Sequence, residues 1–417
     1  MVKTTKSQSF LTYFSIFLIL AASAGYYCRT KSQTFCFLIS ALATIILILT
    51  SKKIRIYKKA VLCCRTLICL GLLSSVIAGD AFDYMFAPIV ALLIGLLIVS
   101  ALDFNVFRNV YVTVIMHISI VSIIAEILFI VAPYVITQFP IIINNAGGGG
   151  YNLLYCVVPF NYGHGYRIQG IFWEPGAFQF FLTLALLFLL YDTRIVKRRL
   201  KSIILVVAMI MTFSTTAYIS LLVLFFLYLR LNGVNKKITS AVIVSLLVIP
   251  IAIFCIPNLT QMLTEILGAK IGNFIKAFDG DSANVSSTVR ADSIIYPFQL
   301  FISNPLLGGG YSGLLGLSQF MGHAMTTCTP LNYFATYGVV YGGIMMYLFY
   351  RLSVRISNGS RGKWMVFVLL IIITFSEDFN GTTIINIFLL YGLLDSNCRP
   401  INFSDKTKGC EYENIVN

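Results

Sequence analysis

The stretch Arg167-Ile-Gln-Gly-Ile-Phe-Trp-Glu-Pro-Gly176 leads directly into an apolar run from Ala177 to Leu190. Arg167 and Glu174 therefore lie just before a segment with the composition of a buried helix. Similar runs recur along the whole chain, in which 58% of the 417 residues are hydrophobic and only 11% are charged. A charged residue beside such a run is therefore a candidate for function.

The apolar runs predict helices that cross a lipid bilayer. The mean hydropathy is +0.87, and a hydrocarbon core of about 30 Å is crossed by about 20 apolar residues whose backbone groups are satisfied within a helix. This composition excludes a water-soluble globular protein. We predict an all-α, polytopic integral membrane protein with one membrane domain over residues 1–417. About twelve spans are expected near residues 10–27, 35–50, 60–78, 84–102, 109–133, 175–191, 202–213, 216–230, 238–256, 331–350, 364–376 and 382–395.

Basic residues between the apolar runs predict the orientation. They cluster at residues 52–59, 194–201 and 351–363, and all three clusters fall inside when the N-terminus is inside. Positive charge favours the cytoplasmic side, so we expect both termini in the cytoplasm. We expect the basic residues that give the formal net charge of +14 to face the cytoplasmic lipid surface. No nucleic-acid partner is therefore expected.

Two parts of this topology have alternatives. A single helix over residues 202–230 would measure about 44 Å and would place the later basic clusters outside, so we predict two short spans divided at Thr212-Phe-Ser-Thr-Thr216. The first apolar segment ends in Ala22-Ser-Ala24, which also fits a cleaved signal peptide. We interpret it as an uncleaved first helix.

Two segments on the predicted outer side, residues 134–174 and 257–330, are much longer than the other connections. Loops longer than about 15 residues are usually functional. Within the second, apolar residues recur at helical spacing from 259 to 278 and predict an amphipathic helix. It lies either on the outer leaflet or on the core of the loop itself.

Charged residues in these loops are the candidate site. Arg290 follows Ser286-Ser-Thr and is expected in the first turn of a helix, where a guanidinium and a helix N-terminus together suit phosphate oxygens. The alternative is a solvated loop arginine. Glu174, just before Pro175, either orients Arg167 or binds sugar hydroxyls, or it simply caps the helix.

Other chemistry-bearing residues have ordinary explanations. Asp279-Gly-Asp281 fits a polar turn better than a metal site, and neither a metal nor a cofactor is expected. Cys156 and Cys328 are either separate thiols or a disulfide. His117 and Glu126 are nine residues apart and so lie on opposite faces of one span. Glu126 is a candidate because an acid within a membrane is usually functional.

The order of these motifs resembles a known family. Arg167-x-x-Gly170, Phe172-x-Glu174-Pro-Gly176, Arg290 and Asn304-Pro-Leu-x-Gly308-x-Gly310 together resemble the group of polytopic membrane glycosyltransferases that contains the O-antigen polymerases (Wzy type) and the O-antigen ligases. Leu331-Asn-Tyr-Phe-Ala-Thr-Tyr-Gly338 is similar to the helix that follows the large outer loop in that group. The ligases carry a histidine directly beside an asparagine there, whereas His323 precedes Asn332 by nine residues.

The resemblance implies transfer of a glycan from an undecaprenyl diphosphate carrier to a sugar hydroxyl at the periplasmic face of the inner membrane. It implies polymerisation of lipid-linked repeat units into O-antigen or capsule-like polysaccharide, without nucleotide sugar or metal. Partners of that kind are a chain-length regulator and a flippase. Breaking the bond between sugar and phosphate leaves negative charge on the diphosphate, which guanidinium groups stabilise.

We therefore expect Arg167 and Arg290 to hold the diphosphate, with Glu174, Asp292 and Asn332 among the substrate contacts. The base for the acceptor hydroxyl is left open. The candidates on the outer side are Glu174, His323, Asp292, Glu377 and Asp378.

Two other functions are alternatives. A ligase that moves glycan onto lipid A core shares the diphosphate chemistry and differs only in its acceptor. A flippase or transporter for lipid-linked oligosaccharide would have broken helices near the membrane midplane. The concentration of polar groups in the two long loops favours a transferase over a transporter.

Overall fold

Helices predominate in the computed structural model, which describes residues 6–29, 33–51, 54–144, 148–160, 167–233, 285–320, 326–360 and 362–394. The helices are α1 Lys6–Ala24, α2 Gln33–Thr50, α3 Lys58–Ala78, α4 Phe82–Ala101, α5 Phe104–Val131, the single-turn α6 Pro133–Ile136, α7 Pro175–Tyr191, α8 Arg198–Met211, α9 Thr215–Leu231, α10 Val285–Ser303, α11 Gly310–Phe320, α12 Thr329–Ile356, α13 Lys363–Thr374 and α14 Thr383–Leu393. A short 3₁₀ helix covers Tyr26–Arg29.

Each predicted span within the described residues overlaps one of these helices. Among those residues, α3 and α5 are the two helices long and apolar enough to cross a membrane by length and composition. Other apolar helices, α7 and α9 among them, have 10–17 residues. The predicted span at 238–256 and the amphipathic segment at 259–278 lie outside the described residues.

Helix α7 lies at the centre of the fold. Pro175 occupies its first turn, where a missing N–H costs nothing because that group has no partner within the helix. Every residue from Ala177 to Leu189 is buried. A helix that is mainly apolar on every face packs against neighbours on all sides. The run that follows Gly176 therefore forms the core helix.

The ends of the helices gather into two groups. The upper end carries residues 79–81, 132–144, 148–160, 167–174, 212–214 and 375–382, and it is joined by bonds such as Ile168 N to Met211 O (3.2 Å). The lower end carries residues 54–57, 102–103, 192–197 and 357–360, and it is joined by a hydrogen bond from Arg55 N to Ser100 O (2.8 Å) and by the ion pair of Arg55 with Asp103.

The first long loop differs from the all-helical expectation. It contains a small antiparallel sheet of Ile141–Ile143, Gly149–Asn152 and Val157–Pro159, in that order. The loop closes over the upper end, where Val157 N donates to Gly170 O (2.8 Å). These strands have only three or four residues, too few for a periodic pattern in the sequence.

Cys156 and Cys328 are separate buried thiols, so the structure contradicts a disulfide between them. Burial raises the pKa of both thiols to about 12. They therefore remain protonated at neutral pH, and the thiolate that disulfide exchange requires is scarce.

The run Thr212-Phe-Ser-Thr-Thr216 divides two helices, as predicted. Helix α8 ends at Met211, and α9 begins at Thr215. Phe213 between them has a positive φ of 47°. This conformation cannot continue a right-handed helix.

Helix α12 is interrupted at Gly338, whose φ of 79° and ψ of −176° are not helical. The chain from Pro305 to Gly309 lies beside the interruption, with Val339 N donating to Pro305 O (2.8 Å) and Gly309 N donating to Ala335 O (2.8 Å). A Cβ at Gly338 would overlap the Leu306 carbonyl, and glycine is required there for close backbone approach. A Cβ at Gly308 would likewise overlap the backbone of Thr336, so Gly308 and Gly338 both have a structural explanation.

A buried ion pair ties the lower end together. Arg108 of α5 is paired with Asp192, and their side chains are 4% and 6% exposed. Arg194 also donates to Asp192 through Nε (2.9 Å). The Arg108 guanidinium lies 5.5 Å from the centre of the Phe104 ring, and the Arg355 guanidinium lies 5.0 Å from it.

Replacing Arg108 with methionine is expected to destabilise the fold by about 2–3 kcal/mol, because Asp192 loses its buried partner and keeps only the exposed Arg194. The double variant Arg108→Met/Asp192→Asn should be less damaged than the single one. Unfolding of both variants in detergent, compared with the native chain, measures the difference. A single-variant cost under about 1 kcal/mol would mean that the pair does not secure this end.

Candidate functional site

Arg167 is fixed to the upper end by the break between α8 and α9. Its Nε donates to the carbonyl of Thr212 at 2.9 Å. The last carbonyls of a helix have no partner within the helix, so they are free to accept a bond from a side chain. The Thr212–Thr216 interruption thus positions Arg167 at the start of the segment that leads into α7.

Arg167 and Arg290 are brought together, although they lie on different elements. Arg167 is half-buried and Arg290 is exposed on α10. Burial is the main factor that lowers the pKa of Arg167, and the nearby charge of Arg290 lowers it further. Glu174 acts in the opposite direction, as does Tyr218. Arginine stays charged in proteins, so two guanidinium groups share this part of the upper end.

Arg290 does not lie where the sequence predicted. Helix α10 begins at Val285, so Ser286-Ser-Thr belongs to the helix and Arg290 lies in its second turn, not its first. The free N–H groups of a helix start are therefore not beside it. Any contact of this arginine with an anion would be made by the guanidinium alone.

Glu174 occupies the position before α7 in an extended conformation, with φ of −159° and ψ of 165°. Its side chain is exposed and makes no capping hydrogen bond with the helix. The structural explanation of this residue as a cap is therefore not supported. Its carboxylate instead lies close enough to Arg167 to stabilise the charged guanidinium.

Glu377 brings a second carboxylate to the start of α7. A Cβ placed on Gly176 would overlap Glu377 Oε1 and lie 3.0 Å from Glu174 Oε1. The Glu377 residue is only 3% exposed. Trp173 Nε1 donates to its Oε2 at 2.9 Å. The two carboxylates thus converge on Gly176.

The connection that carries Glu377 is held from two sides. The Glu377 carbonyl accepts from Thr329 N (3.2 Å) and Thr329 Oγ1 (2.5 Å), and Phe379 N donates back to Thr329 Oγ1 (2.9 Å). Gln179 Nε2 of α7 donates to Ser376 Oγ at 3.3 Å. A side chain on such a fixed connection has few alternative positions.

Asn332 has a different role from the predicted substrate contact. It is fully buried, its Oδ1 accepts from Thr326 Oγ1 (3.0 Å), and its Nδ2 donates to Thr326 O (3.4 Å). Both ends of the amide therefore hold the turn before α12. Asp292 is half-buried on α10, and its neighbour Ser293 accepts from Thr327 N (2.9 Å).

His323 and Asp279-Gly-Asp281 lie outside the described residues. In the parts of the chain that are described, no group of three or more His, Cys, Asp and Glu side chains could hold a metal ion. Glu126 is buried near Cys156 and the small sheet, whereas His117 accepts or shares a hydrogen bond with Tyr13 (2.9 Å). The two residues do not contact each other.

A scan against protein-family models and a search of curated proteins found no match to this chain. The proposed function therefore rests on its own residues and geometry.

Proposed function

We propose that this protein is a membrane glycosyltransferase that polymerises undecaprenyl-diphosphate-linked oligosaccharide repeat units at the periplasmic face of the inner membrane. The observation that carries the proposal is the meeting of Arg167 and Arg290 beside Glu174 at the upper end. Two adjacent guanidinium groups with one exposed carboxylate suit a doubly charged diphosphate and an acceptor hydroxyl.

The chemistry needs little else. The acceptor oxygen attacks the sugar C1 while the bond from C1 to the diphosphate oxygen breaks, and negative charge develops on the departing lipid diphosphate. Arg167 is half-buried, so its attraction for that charge is screened less than it would be in water. Hydrogen-bond donors aimed at developing charge are usually the largest single contribution to such a reaction.

The exposed faces of the helices support a multi-pass arrangement. Helix α2 exposes Leu38, Leu42, Ile45 and Leu49 at helical spacing, by 63%, 55%, 52% and 78%. Its opposite face buries Ser40 and Thr44. An exposed apolar stripe over a partly polar interior suits lipid better than water.

The charges of the two ends support the orientation. Arg55, Arg194 and Arg355 lie at or near the lower end. The rule that positive charge faces the cytoplasm makes the lower end cytoplasmic and the upper end periplasmic. In this arrangement Arg167 and Arg290 face the compartment in which lipid-linked repeat units are joined.

A second candidate, a flippase for lipid-linked oligosaccharide, is favoured by one observation. Helix α12 is broken at Gly338, as helices at transporter binding sites often are. However, the chain from Pro305 to Gly309 fills the break and satisfies its backbone groups. Glycan transfer is therefore the better proposal. A ligase, which uses the same donor chemistry, is the alternative function most similar to it.

Deleting the gene and examining the surface polysaccharide tests the proposal. A polymerase predicts a deletion strain that still displays single repeat units on lipid A core and lacks long chains. A ligase predicts that lipid-linked chains accumulate without attachment to lipid A core. A flippase predicts repeat units that remain on the cytoplasmic leaflet, and either of these two phenotypes would contradict polymerisation.

A further inference from the structure

Asp80 holds the first turn of α11 from a distant part of the chain. Its carboxylate accepts from Tyr311 N (2.9 Å), Ser312 N (2.8 Å) and Ser312 Oγ (2.5 Å). The N–H groups at a helix start have no partner within the helix, and they attract negative charge. Asp80 is 6% exposed and follows directly on the end of α3. A buried carboxylate of the upper end is therefore bonded to the start of α11.

The packing at this contact is close. Gly310 has a φ of 71°, and a Cβ there would overlap the Ala78 side chain and the Asp80 carboxylate. Glycine adopts a positive φ readily, whereas other residues rarely do. The rings of Tyr84 and Tyr311 add a second contact, with centroids 4.8 Å apart. The chain at position 310 is thus shaped to reach Asp80.

The chain between Arg290 and Ser312 enters the fold from the upper end and turns back. On the way in, Ser293 Oγ of α10 accepts from Thr327 N (2.9 Å), just before α12. The turn then lies beside the break in α12, where Val339 N donates to Pro305 O (2.8 Å). That break is about 15 Å along α12 from its start, or about half of a 30 Å hydrocarbon core. We call residues 290–312 the re-entrant segment.

Helix α3 holds this segment at two levels. The buried Ser74 Oγ lies 2.5 Å from Leu307 O and 2.9 Å from Thr336 O, so one hydroxyl is shared between the turn and α12. Asp80, at the end of the same helix, then binds the chain as it leaves the turn. Helix α10 contains Pro297, which removes a hydrogen bond from its interior. The direction of α10 therefore depends on the contacts at its two ends.

We propose that Asp80 is a positioning residue for glycan transfer: by holding the start of α11 it fixes the re-entrant segment and keeps Arg290 beside Arg167. The inference rests on the proposed function for the role of the two arginines. The effect of Asp80 passes through the turn at Pro305–Gly309 and along α10, which carries Arg290.

Tryptic cleavage after Arg290 measures the position of α10 without any glycan transfer. The purified full chain in detergent is digested with trypsin, and the fragment that begins at Ala291 is followed by mass spectrometry. We expect Asp80→Ala to speed this cleavage by about 10-fold, because a helix that loses a contact opens more often and the protease cuts the open form. Cleavage after the exposed Arg199 of α8 should not change.

Asp103→Ala is the matched control. It makes the same replacement at an aspartate that also precedes a helix, but Asp103 is exposed and lies at the lower end. It should leave the cleavage after Arg290 at the native rate.

A reversible link separates holding from a general loss of stability. The Asp80 and Ser312 side chains are in contact, so the variant Asp80→Cys/Ser312→Cys places two thiols within reach of a disulfide. In vesicles supplied with undecaprenyl-diphosphate-linked repeat units, we expect polymer formation to fall about 10-fold in Asp80→Ala and in the reduced double variant. Oxidation of the double variant should restore it. The native chain, treated with the same oxidant and reductant, controls for its own cysteines.

The outcomes distinguish the inference from the proposed function. If cleavage after Arg290 is as slow in Asp80→Ala as in Asp103→Ala, Asp80 does not hold the segment, whatever the protein does. Equal polymer formation by the reduced and oxidised double variant, beside an active native chain, would also overturn the positioning role. If the native chain forms no polymer while Asp80→Ala still exposes Arg290 to trypsin, the proposed function fails and the holding of α10 by Asp80 stands.

Discussion

Replacing either Arg167 or Arg290 with lysine is expected to lower the rate of glycan transfer by about 100-fold or more, the usual cost of losing one well-placed donor to a developing negative charge. Lysine keeps the charge but lacks the planar fork that bonds two phosphate oxygens at once. Lysine at position 167 also lacks the Nε donor that binds the Thr212 carbonyl. Polymer length and amount in a deletion strain carrying each variant measure the effect.

Arg65→Lys supplies the matched control for these two variants. Arg65 is an exposed arginine on α3, far along the chain from the upper-end pair, and its substitution should leave polymer unchanged. Membrane levels of all three proteins must be compared, so that loss of protein is not mistaken for loss of chemistry. Long chains from both variant proteins at native levels would show that these arginines do not hold the diphosphate.

Gly338→Ala is expected to lower the free energy of unfolding by about 3–5 kcal/mol, from backbone strain and steric overlap together. The φ of 79° disfavours any side chain, and an added Cβ would overlap the Leu306 carbonyl. The chain from Pro305 to Gly309 would have to move, breaking the bonds that satisfy the interruption of α12.

Gly343→Ala, in the same helix, is the control for that substitution. A Cβ there meets nothing within 4 Å. Alanine should be neutral or should stabilise the helix by up to about 1 kcal/mol. Thermal unfolding in detergent compares the two variants. Equal unfolding temperatures would mean that the close packing at Gly338 does not contribute to stability.

Local patterns in the sequence predicted much of the helical architecture. Apolar runs such as Ala177–Leu190 marked the helices, and the Thr212–Thr216 run marked the break between α8 and α9. Composition alone does not fix the number of membrane crossings, because several apolar helices in the described part of the chain have 17 residues or fewer. The three short strands had no periodic signal of their own.

The candidate site was only partly predictable. Arg167, Glu174 and Arg290 stood out because charge beside apolar segments is costly. The position of Arg290 was misjudged because Ser286-Ser-Thr is typical of a helix start, yet here it lies within α10. The bond of Trp173 with Glu377 joins residues 204 positions apart, and no local pattern reveals such a contact. Asn332, expected among the substrate contacts, is buried in the turn before α12, and the motif itself carries no signal of burial.

Reconstitution of the purified chain with the proposed lipid-linked donor tests the central claim most directly. The chain, free of other glycosyltransferases, would be incorporated into vesicles with undecaprenyl-diphosphate-linked repeat units, and the products would be resolved by size. We predict a ladder of longer lipid-linked chains with release of undecaprenyl diphosphate, both greatly reduced by Arg290→Lys. Repeat units that remain single in the presence of the native chain would contradict the account.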